Sequence, residues 1–216
     1  MKKPYQSIRV FENPYLEKLT HVHPITPLLL WAPIVIYLYY YSFTVLQFSV
    51  AQVLGLLVAG LIVWTLMEHV LHRYVFHFNA KTPLQKRLQF LIHGLHHDDP
   101  NDPTRLVMPP AGSLILAVPI FLGFRAIFAL FGAADATIPF FASFVIGYLC
   151  YDYIHYGTHH FKPKSRLGKM INQHHMLHHF VDHDAKWGVS SPIWDYILGT
   201  MKGPSSHPAT QSHTKS

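Results

Sequence analysis

The residues of this chain most suited to chemistry are its histidines, which number 18 in 216 residues. Fourteen of them fall into four clusters. Spacings of three and four place side chains one turn apart on one helix face, where imidazoles can converge on a point. Such convergence is typical of a metal site. The clusters are His69, His72 and His77; His93, His96 and His97; His155, His159 and His160; and His174, His175, His178, His179 and His183.

Metal binding explains this clustering better than a solvated histidine-rich face. Protonated imidazoles would repel one another, and buried neutral rings need partners for both nitrogens, so bound metal ions resolve both problems. The clusters are also embedded in apolar, aromatic segments rather than in a polar low-complexity tract. Because one ion takes about four to six ligands, roughly ten histidines predict two ions. Nitrogen ligands favour iron, zinc, copper or nickel over magnesium and calcium.

Carboxylates beside the clusters are candidates for accepting the second ring N–H of a ligand and so orienting it. The sequence contains no HExxH zinc-protease signature and no clear nucleophile–base–acid order. We therefore expect no catalytic side chain beyond the metal ligands. The candidate carboxylates are Glu68, Asp98, Asp99, Asp152, Asp182 and Asp184.

The elements that must position the histidines are long apolar helices. Half of the residues are hydrophobic and only 13% are charged. Residues 24–67 contain no charged residue or histidine, and residues 106–151 contain only two charges. A transmembrane helix needs about 20 apolar residues, so each block accommodates two. The sequence predicts an all-α integral membrane protein with two hairpins, whose four spans lie at roughly 26–46, 50–71, 111–131 and 137–157.

The basic residues indicate which side the histidines face. Sixteen of the 17 Lys and Arg residues lie in residues 1–23, 68–105 and 152–216, which also contain all the histidines. The positive-inside rule makes these segments cytoplasmic. We therefore predict that both termini and a helical cap carrying the metal site lie on the cytoplasmic side. The net charge of +6 is then a topology signal, and we expect no nucleic-acid partner.

The domain organisation is simple. We predict a single membrane domain over residues 1–203 and a disordered tail over residues 204–216. A single cysteine excludes an intrachain disulfide. Between the hairpins, Thr82, Pro83 and Gln85 have the pattern of a capping box with proline at the first helical position, which predicts a helix start there.

Three histidine motifs carry a resemblance to a known family. HRYVFH at residues 72–77, HGLHH at 93–97 and HMLHH at 175–179 resemble the histidine boxes of the membrane fatty acid hydroxylase superfamily, whose chemistry is shared with membrane desaturases. HGLHHDDPNDPTRLVMPP at 93–110 and DYIHYGTHH at 152–160 look specifically like the fatty acid 2-hydroxylase branch, the ceramide acyl-chain alpha-hydroxylases. The resemblance extends from about Glu68 to Thr200.

The resemblance implies a ligand set for two metal ions. Four other clustered histidines are then groups that support the ligands, together with neighbouring carboxylates. These supporting groups are His69, Asp98, Asp152, His160, His174, Asp182 and His183. The implied ligands are His72, His77, His93, His96, His97, His155, His159, His175, His178 and His179.

The implied function is O₂-dependent hydroxylation of an acyl chain of a membrane lipid, at carbon 2, by two iron ions. Zinc could replace iron in purified samples. Eukaryotic relatives often carry a fused cytochrome b5 domain. Because 216 residues leave no room for one, we expect a separate electron donor, either a cytochrome b5-like protein or a ferredoxin. Arg105, just before the second apolar block, is a candidate contact for the lipid head group, although a plain interfacial anchor fits it equally well.

Other functions stay open at this point. The same metal pair could desaturate an acyl chain or hydroxylate a sterol or carotenoid. A membrane metal transporter or metal-binding protein without enzymatic activity is a different class, but it would place ionisable groups along its spans, and these spans offer only Arg125 and Asp135. A bis-histidine haem protein would need facing histidines on the spans, which the sequence lacks.

Overall fold

The computed structural model describes residues 5–203, and the regular secondary structure within that range is helical. The predicted tail, residues 204–216, lies outside the described residues. The long helices are α2 (Thr26–Thr44), α3 (Val50–Val70), α6 (Pro110–Leu130) and α7 (Thr137–His160). The shorter ones are α1 (Pro14–Leu19), α4 (Pro83–Gln89), α5 (Leu95–Asp98), α8 (Arg166–Phe180) and α9 (Ile193–Ile197), with a 3₁₀ turn at Ala134–Ala136.

The four long helices are apolar and long enough to cross a membrane, as predicted. With the turns that extend α3 to Phe76 and begin α7 at Ala134, they contain 19 to 27 residues. At about 1.5 Å per residue they match or exceed a hydrocarbon core of about 30 Å. Many of their large apolar side chains point outward, such as Ile36 at 68% exposure and Ile115 at 72%, as lipid-facing residues do. The all-helical fold with four apolar candidate spans is confirmed.

Helix α7 is the centre of the bundle. It packs along α3 and α2, and α6 contacts it less extensively. On the α3 side, the indole of Trp64 packs edge-on against Phe144 and Tyr148 and is tilted against Tyr151, with ring centroids 5.0 to 5.7 Å apart. These aromatic contacts lock α3 and α7 together near the ends that carry histidines.

Two glycines allow α3 and α7 to approach closely. A Cβ added at Gly60 would lie 2.7 Å from the carbonyl oxygen of Phe140 and 2.9 Å from the backbone nitrogen of Phe144. A Cβ at Gly147 would lie 2.5 Å from the Cβ of Trp64. Because backbone atoms cannot rotate away, only glycine fits at Gly60 without separating the helices.

Two π-helical turns extend helices into the histidine motifs. Helix α3 continues as a π turn at Leu71–Phe76, and its end is fixed by the bond from His77 N to His72 O, 3.1 Å long. Helix α4 begins with the predicted capping box at Thr82 and continues through a π turn at Phe90–Gly94 into α5. Because π turns bond residue i to residue i+5, they bring residues five apart to one face. His72 and His77 therefore lie on the same face, with ring centroids 5.1 Å apart.

The contact at Gly60 gives a test of the bundle. Gly60→Ala should destabilise the protein by about 1–3 kcal/mol, because the added methyl group meets backbone atoms of α7. The measurement is the thermal unfolding midpoint in detergent. Gly55→Ala in the same helix is the matched control, since its Cβ would meet nothing within 4 Å, and it should leave the midpoint unchanged. Equal midpoints for the two variants would contradict the packing described here.

Candidate metal centre

The histidine clusters meet at one end of the bundle. They are supplied by the π turn after α3, by the segment that ends in α5, by the end of α7 and by α8. Within the described residues, ten imidazoles form two groups of five, and in each group one nitrogen per ring lies within 4.8 Å of the others. These ten are the residues that the family resemblance implied as ligands.

The first group comes from three elements and is closely packed. The Nε2 atom of His93 lies 3.1 Å from Nε2 of both His72 and His97. The Nε2 atom of His77 lies 3.1 Å from that of His97 and 3.3 Å from that of His178. These rings therefore direct the same nitrogen at a common centre. The group consists of His72, His77, His93, His97 and His178.

The second group is built mainly by the end of α7 and by α8. Nε2 of His155 lies 2.8 Å from Nε2 of His96, and the Nε2 atoms of His159 and His175 are 2.9 Å apart. The two groups adjoin, since the rings of His97 and His179 stack with centroids 4.2 Å apart. The second group consists of His96, His155, His159, His175 and His179.

Burial keeps these rings neutral. Desolvation, reinforced by the neighbouring imidazoles, lowers the pKa of His77 to about 3, and burial lowers the pKa of His178 to about 4. The same causes hold the pKa of His93, His96 and His175 well below the ordinary value. Because neutral imidazole is the form that ligates metal, the sites are ready for ions at neutral pH without prior loss of protons.

The donor set fits a metal pair. Bonds from a metal to histidine nitrogen are about 2.0–2.1 Å long, so two ligands of one ion lie up to about 4 Å apart, close to the observed spread. A buried ring nitrogen without a partner is costly. Both ring nitrogens of His179 are buried and have no hydrogen-bond partner within residues 5–203. A shared cation in each group would satisfy the nitrogens that face one another.

The second ring nitrogen of two ligands is held by backbone carbonyls, not by the carboxylates that the sequence suggested. Nδ1 of His72 lies 2.6 Å from the carbonyl oxygen of Trp187, and Nδ1 of His178 lies 2.7 Å from that of Ala185. A carbonyl oxygen can only accept, so Nδ1 carries the hydrogen and Nε2 is free to ligate. Sequence reasoning missed these contacts because a backbone carbonyl has no residue signature.

A buried carboxylate that the sequence did not single out lies next to the site. Asp195, fully buried on α9, accepts hydrogen bonds from the backbone N–H of Trp187 (2.9 Å) and of Gly188 (2.8 Å), and lies 3.0 Å from Nε2 of His174. Burial alone would raise the pKa of Asp195, but the hydrogen bonds from His174, Thr200 and these backbone groups lower it. Asp195 therefore holds a full negative charge at neutral pH.

The histidines predicted as supporting groups occupy different surroundings. His174 faces Asp195 and not the metal groups, and buried His69 lies with its Nδ1 3.5 Å from the same carboxylate. The exposed ring of His183 lies against the ring of His97, with centroids 5.1 Å apart. His160 packs instead on Tyr156 of its own helix.

The predicted carboxylates lie near the site without binding its rings. Asp98, on the exposed side of α5, lines a cleft of about 320 Å³ that also reaches His77 and His97. Asp152, buried on α7, accepts from Tyr148 Oη at 3.2 Å and from the backbone N–H of Met108 at 3.4 Å. Asp182 accepts from the backbone N–H of Gly203. Asp152 and Asp182 therefore each hold a backbone N–H group and not a histidine ring.

Glu68 is another predicted carboxylate that contacts the backbone and not a histidine ring. It is buried, and it accepts hydrogen bonds from the backbone N–H groups of Val189 and Ser190 and from the Ser190 hydroxyl. The carboxylate therefore holds the loop that follows α8. The sequence had suggested that Glu68 would orient a histidine directly.

An apolar cavity of about 440 Å³ opens onto both histidine groups. Its walls include one histidine of the first group, His93, and two of the second, His96 and His155. Most other lining residues are aliphatic or aromatic, and a few polar groups interrupt them, among them Arg105 and Asp152. The aliphatic and aromatic lining includes Val75, Phe76, Leu91, Ile92, Leu106, Met108, Ile115 and Leu116.

Arg105 lines this cavity and also binds the N-terminal segment. Its Nη2 atom lies 2.5 Å from Oε1 of Glu17 and 3.0 Å from Nε2 of His21, and Nη1 donates to the carbonyl of Ile8. Although desolvation opposes it, the backbone N–H groups of Phe11 and Val10, together with Arg105, lower the pKa of Glu17 to about 2. The ion pair therefore holds residues 8–21 against the side of the cavity.

Comparisons with known proteins agree with this geometry. The family model described as fatty acid hydroxylase matches residues 57–200. A dihydroceramide fatty acyl 2-hydroxylase of Arabidopsis thaliana is 36% identical over 90% of this chain and 80% of its own length. The human fatty acid 2-hydroxylase is 31% identical over 94% of this chain and 59% of its own length.

A solved structure shows the same fold. The structure of full-length scs7p, in which only the hydroxylase domain is visible, superposes with a TM-score of 0.80 and 34% identity, and covers 93% of this chain and 74% of that one. A match of the family model to two thirds of the residues and relatives above 30% identity settle the family. This chain belongs to the fatty acid hydroxylase family.

Proposed function

We propose that this protein is a membrane-bound hydroxylase that uses O₂ and two iron ions to place a hydroxyl group on carbon 2 of the acyl chain of a membrane lipid. One observation carries the proposal: the same apolar cavity is lined by histidines from both groups of five. An acyl chain in that cavity meets the metal-binding side chains directly. The names of the relatives, as fatty acyl 2-hydroxylases acting on dihydroceramide or fatty acids, support the position and the substrate class.

The ten histidines would hold the ions, five to each. With iron bound, the pair would supply activation of O₂, in which one oxygen atom enters a C–H bond and the other leaves as water at the cost of two electrons and two protons. Neutral imidazoles are appropriate ligands for iron, and they also bind zinc. Zinc in a purified sample would therefore be a substitution.

The task of the chain is to aim the acyl chain and to exclude water. The apolar walls of the cavity favour a hydrocarbon chain over water. The histidine groups lie at the ends of α3 and α7, at the edge of the apolar spans and not at their middle. Carbon 2 of a lipid acyl chain lies next to the head group, at the same depth. Position along the membrane normal therefore favours oxidation at carbon 2 over a carbon in the middle of the chain.

The sidedness and the partners are part of the same proposal. The positive-inside rule places the histidine groups and both termini on the cytoplasmic side, beneath two hairpins. Electrons would come from a separate cytochrome b5-like protein or ferredoxin. Arg105, which lines the cavity, is the proposed contact for the lipid head group, and its guanidinium also pairs with Glu17 and lies near Asp102.

Lipid analysis tests the activity. Expression in a host without 2-hydroxy lipids should produce acyl chains heavier by one oxygen atom, and fragmentation should locate the hydroxyl group at carbon 2. His178→Ala should abolish the product because it removes a buried member of the first group. His23→Ala, at an exposed histidine that belongs to neither group, is the matched control and should leave the product intact. Alkenes in place of hydroxy acids would identify a desaturase instead.

Metal analysis tests the centre. Protein expressed with iron should retain about two ions per chain, because each group of five nitrogens binds one. The measurement is elemental analysis of detergent-purified protein, with iron and zinc summed. His97→Ala should lower the total and still insert into the membrane. A wild-type total of one ion or none would contradict the two-metal proposal.

Acid should destabilise the metal-free protein. The pKa values of His77 and His178 lie at about 3 and about 4, below the ordinary value of 6.5. At pH values between these folded-state pKa values and 6.5, the unfolded chain binds more protons than the folded one. The free energy of unfolding therefore decreases as the pH falls below about 6.5. The thermal midpoint of chelator-stripped protein should therefore decrease from pH 8 to pH 5.

The control for this pH dependence removes one titrating ring. His77→Gln should give a shallower decrease, because glutamine does not titrate in this range. A midpoint that rises on acidification would show that the buried histidines are not neutral in the folded protein.

A further inference from the structure

The loop between α8 and α9 makes a contact that distinguishes the two histidine groups. Its carbonyl oxygens at Ala185 and Trp187 accept from Nδ1 of His178 and His72. Both histidines belong to the first group. The loop therefore holds two ligands from different helices, α8 and the π turn after α3, in one orientation.

Two buried carboxylates hold successive parts of this loop. Asp195, at the start of α9, accepts from the backbone N–H groups of Trp187 and Gly188. Glu68, at the end of α3, accepts from the backbone N–H groups of Val189 and Ser190. Four consecutive backbone N–H groups, from residue 187 to residue 190, thus end on carboxylate oxygens. Hydrogen bonds to a charged acceptor are roughly twice as strong as neutral ones, which applies to the two that Asp195 accepts from this loop.

The second histidine group has no equivalent support within residues 5–203. The Nδ1 atoms of His96, His175 and His179 are buried there and have no hydrogen-bond partner, as is also true of His97 in the first group, and no loop carbonyl holds any ring of the second group. Four of its five histidines lie on α7 and α8, which pack against each other, and the fifth, His96, lies on α5. A disturbance of residues 185–190 should therefore reach one group and spare the other.

We propose that Asp195 and Glu68 are positioning residues for one of the two metal ions, which they serve by fixing residues 185–190 against His72 and His178. The inference rests on the proposed two-metal function and adds to it that the two sites differ in how they are supported. Groups that orient a metal-bound histidine typically change metal affinity by about 10- to 100-fold when they are removed. The expected effect is selective loss of one ion.

The two carboxylates predict different responses to the corresponding amides. In Asp195, Oδ1 accepts from the N–H of Trp187 and Oδ2 from the N–H of Gly188. An asparagine must direct its NH₂ group at one of these two donors, whichever way it is turned. In Glu68 both backbone donors share Oε1, while the Ser190 hydroxyl donates to Oε2. A glutamine can keep Oε1 in place and donate to that hydroxyl, which is able to accept.

The test is the number of ions that full-length protein retains in detergent during dialysis against a graded series of chelator concentrations. Wild type and Glu68→Gln should retain about two ions per chain over the same range. Asp195→Asn and Glu68→Ala should lose one ion at a chelator concentration roughly 10- to 100-fold lower and keep the other as wild type does. Tyr39→Phe, which removes a 2.7 Å hydrogen bond between α2 and Ser143 of α7, is the matched control and should behave as wild type.

Each outcome decides something. Retention of both ions by Asp195→Asn, or parallel loss of both, would overturn the selective role of the loop. Equal losses in Glu68→Gln and Glu68→Ala would overturn the hydrogen-bond argument. If Asp195→Asn does not fold, the Glu68 pair decides the question alone. A wild-type protein with fewer than two ions would instead overturn the proposed two-metal function, and that failure is visible before any variant is made.

Discussion

The structure depends on one electrostatic constraint, which is that imidazole nitrogens face one another at about 3 Å inside a buried space. Nε2 of His93 lies 3.1 Å from two other such atoms, and Nε2 of His155 lies 2.8 Å from that of His96. Protonation of these rings would bring like charges together away from water, and burial keeps their pKa low. Neutral rings that shared a cation would avoid this repulsion and would give each facing nitrogen a partner. The positions of the surrounding helices are therefore constrained by the need to bring these nitrogens together.

The histidines come from elements inside the apolar spans and from elements outside them. Helices α3 and α7 are held in the membrane region by aromatic and glycine contacts, whereas α5 and α8 contribute histidines to both groups from outside it. Neither group is complete without at least one span and at least one outer helix. The apolar cavity lies against this junction. A substrate chain from the bilayer and the ligands from the polar side therefore reach the same place.

Much of this was predictable from the sequence, because it depends on residue type and period. The apolar blocks gave four spans, Thr82 and Gln85 gave the start of α4, and the histidine motifs gave the ten residues that the structure brings together. The motif match was needed for the choice between His174 and His175, since spacing alone does not show that His174 faces Asp195.

Other features were not predictable because they arise from backbone geometry or from long-range contacts. The spacing of five between His72 and His77 would separate their rings on an ordinary helix, and only the π turn brings them together. Nδ1 of His72 contacts the carbonyl oxygen of Trp187, which is more than a hundred residues away in the sequence, and no local pattern indicates such a contact. Arg105 likewise pairs with Glu17, far from it in sequence.

The close approach of α3 and α7 at Gly60 has a consequence at the other end of these helices. Each helix continues past the glycine contact and ends in a pair of histidines, His72 and His77 on one and His155 and His159 on the other. Because α3 and α7 pack together at Gly60 and again at Gly147, the distance between the ends that carry these histidines is fixed. The absence of a side-chain carbon at Gly60 thus helps to set the distance between the histidines that α3 and α7 supply to the two groups, several helical turns away from that glycine.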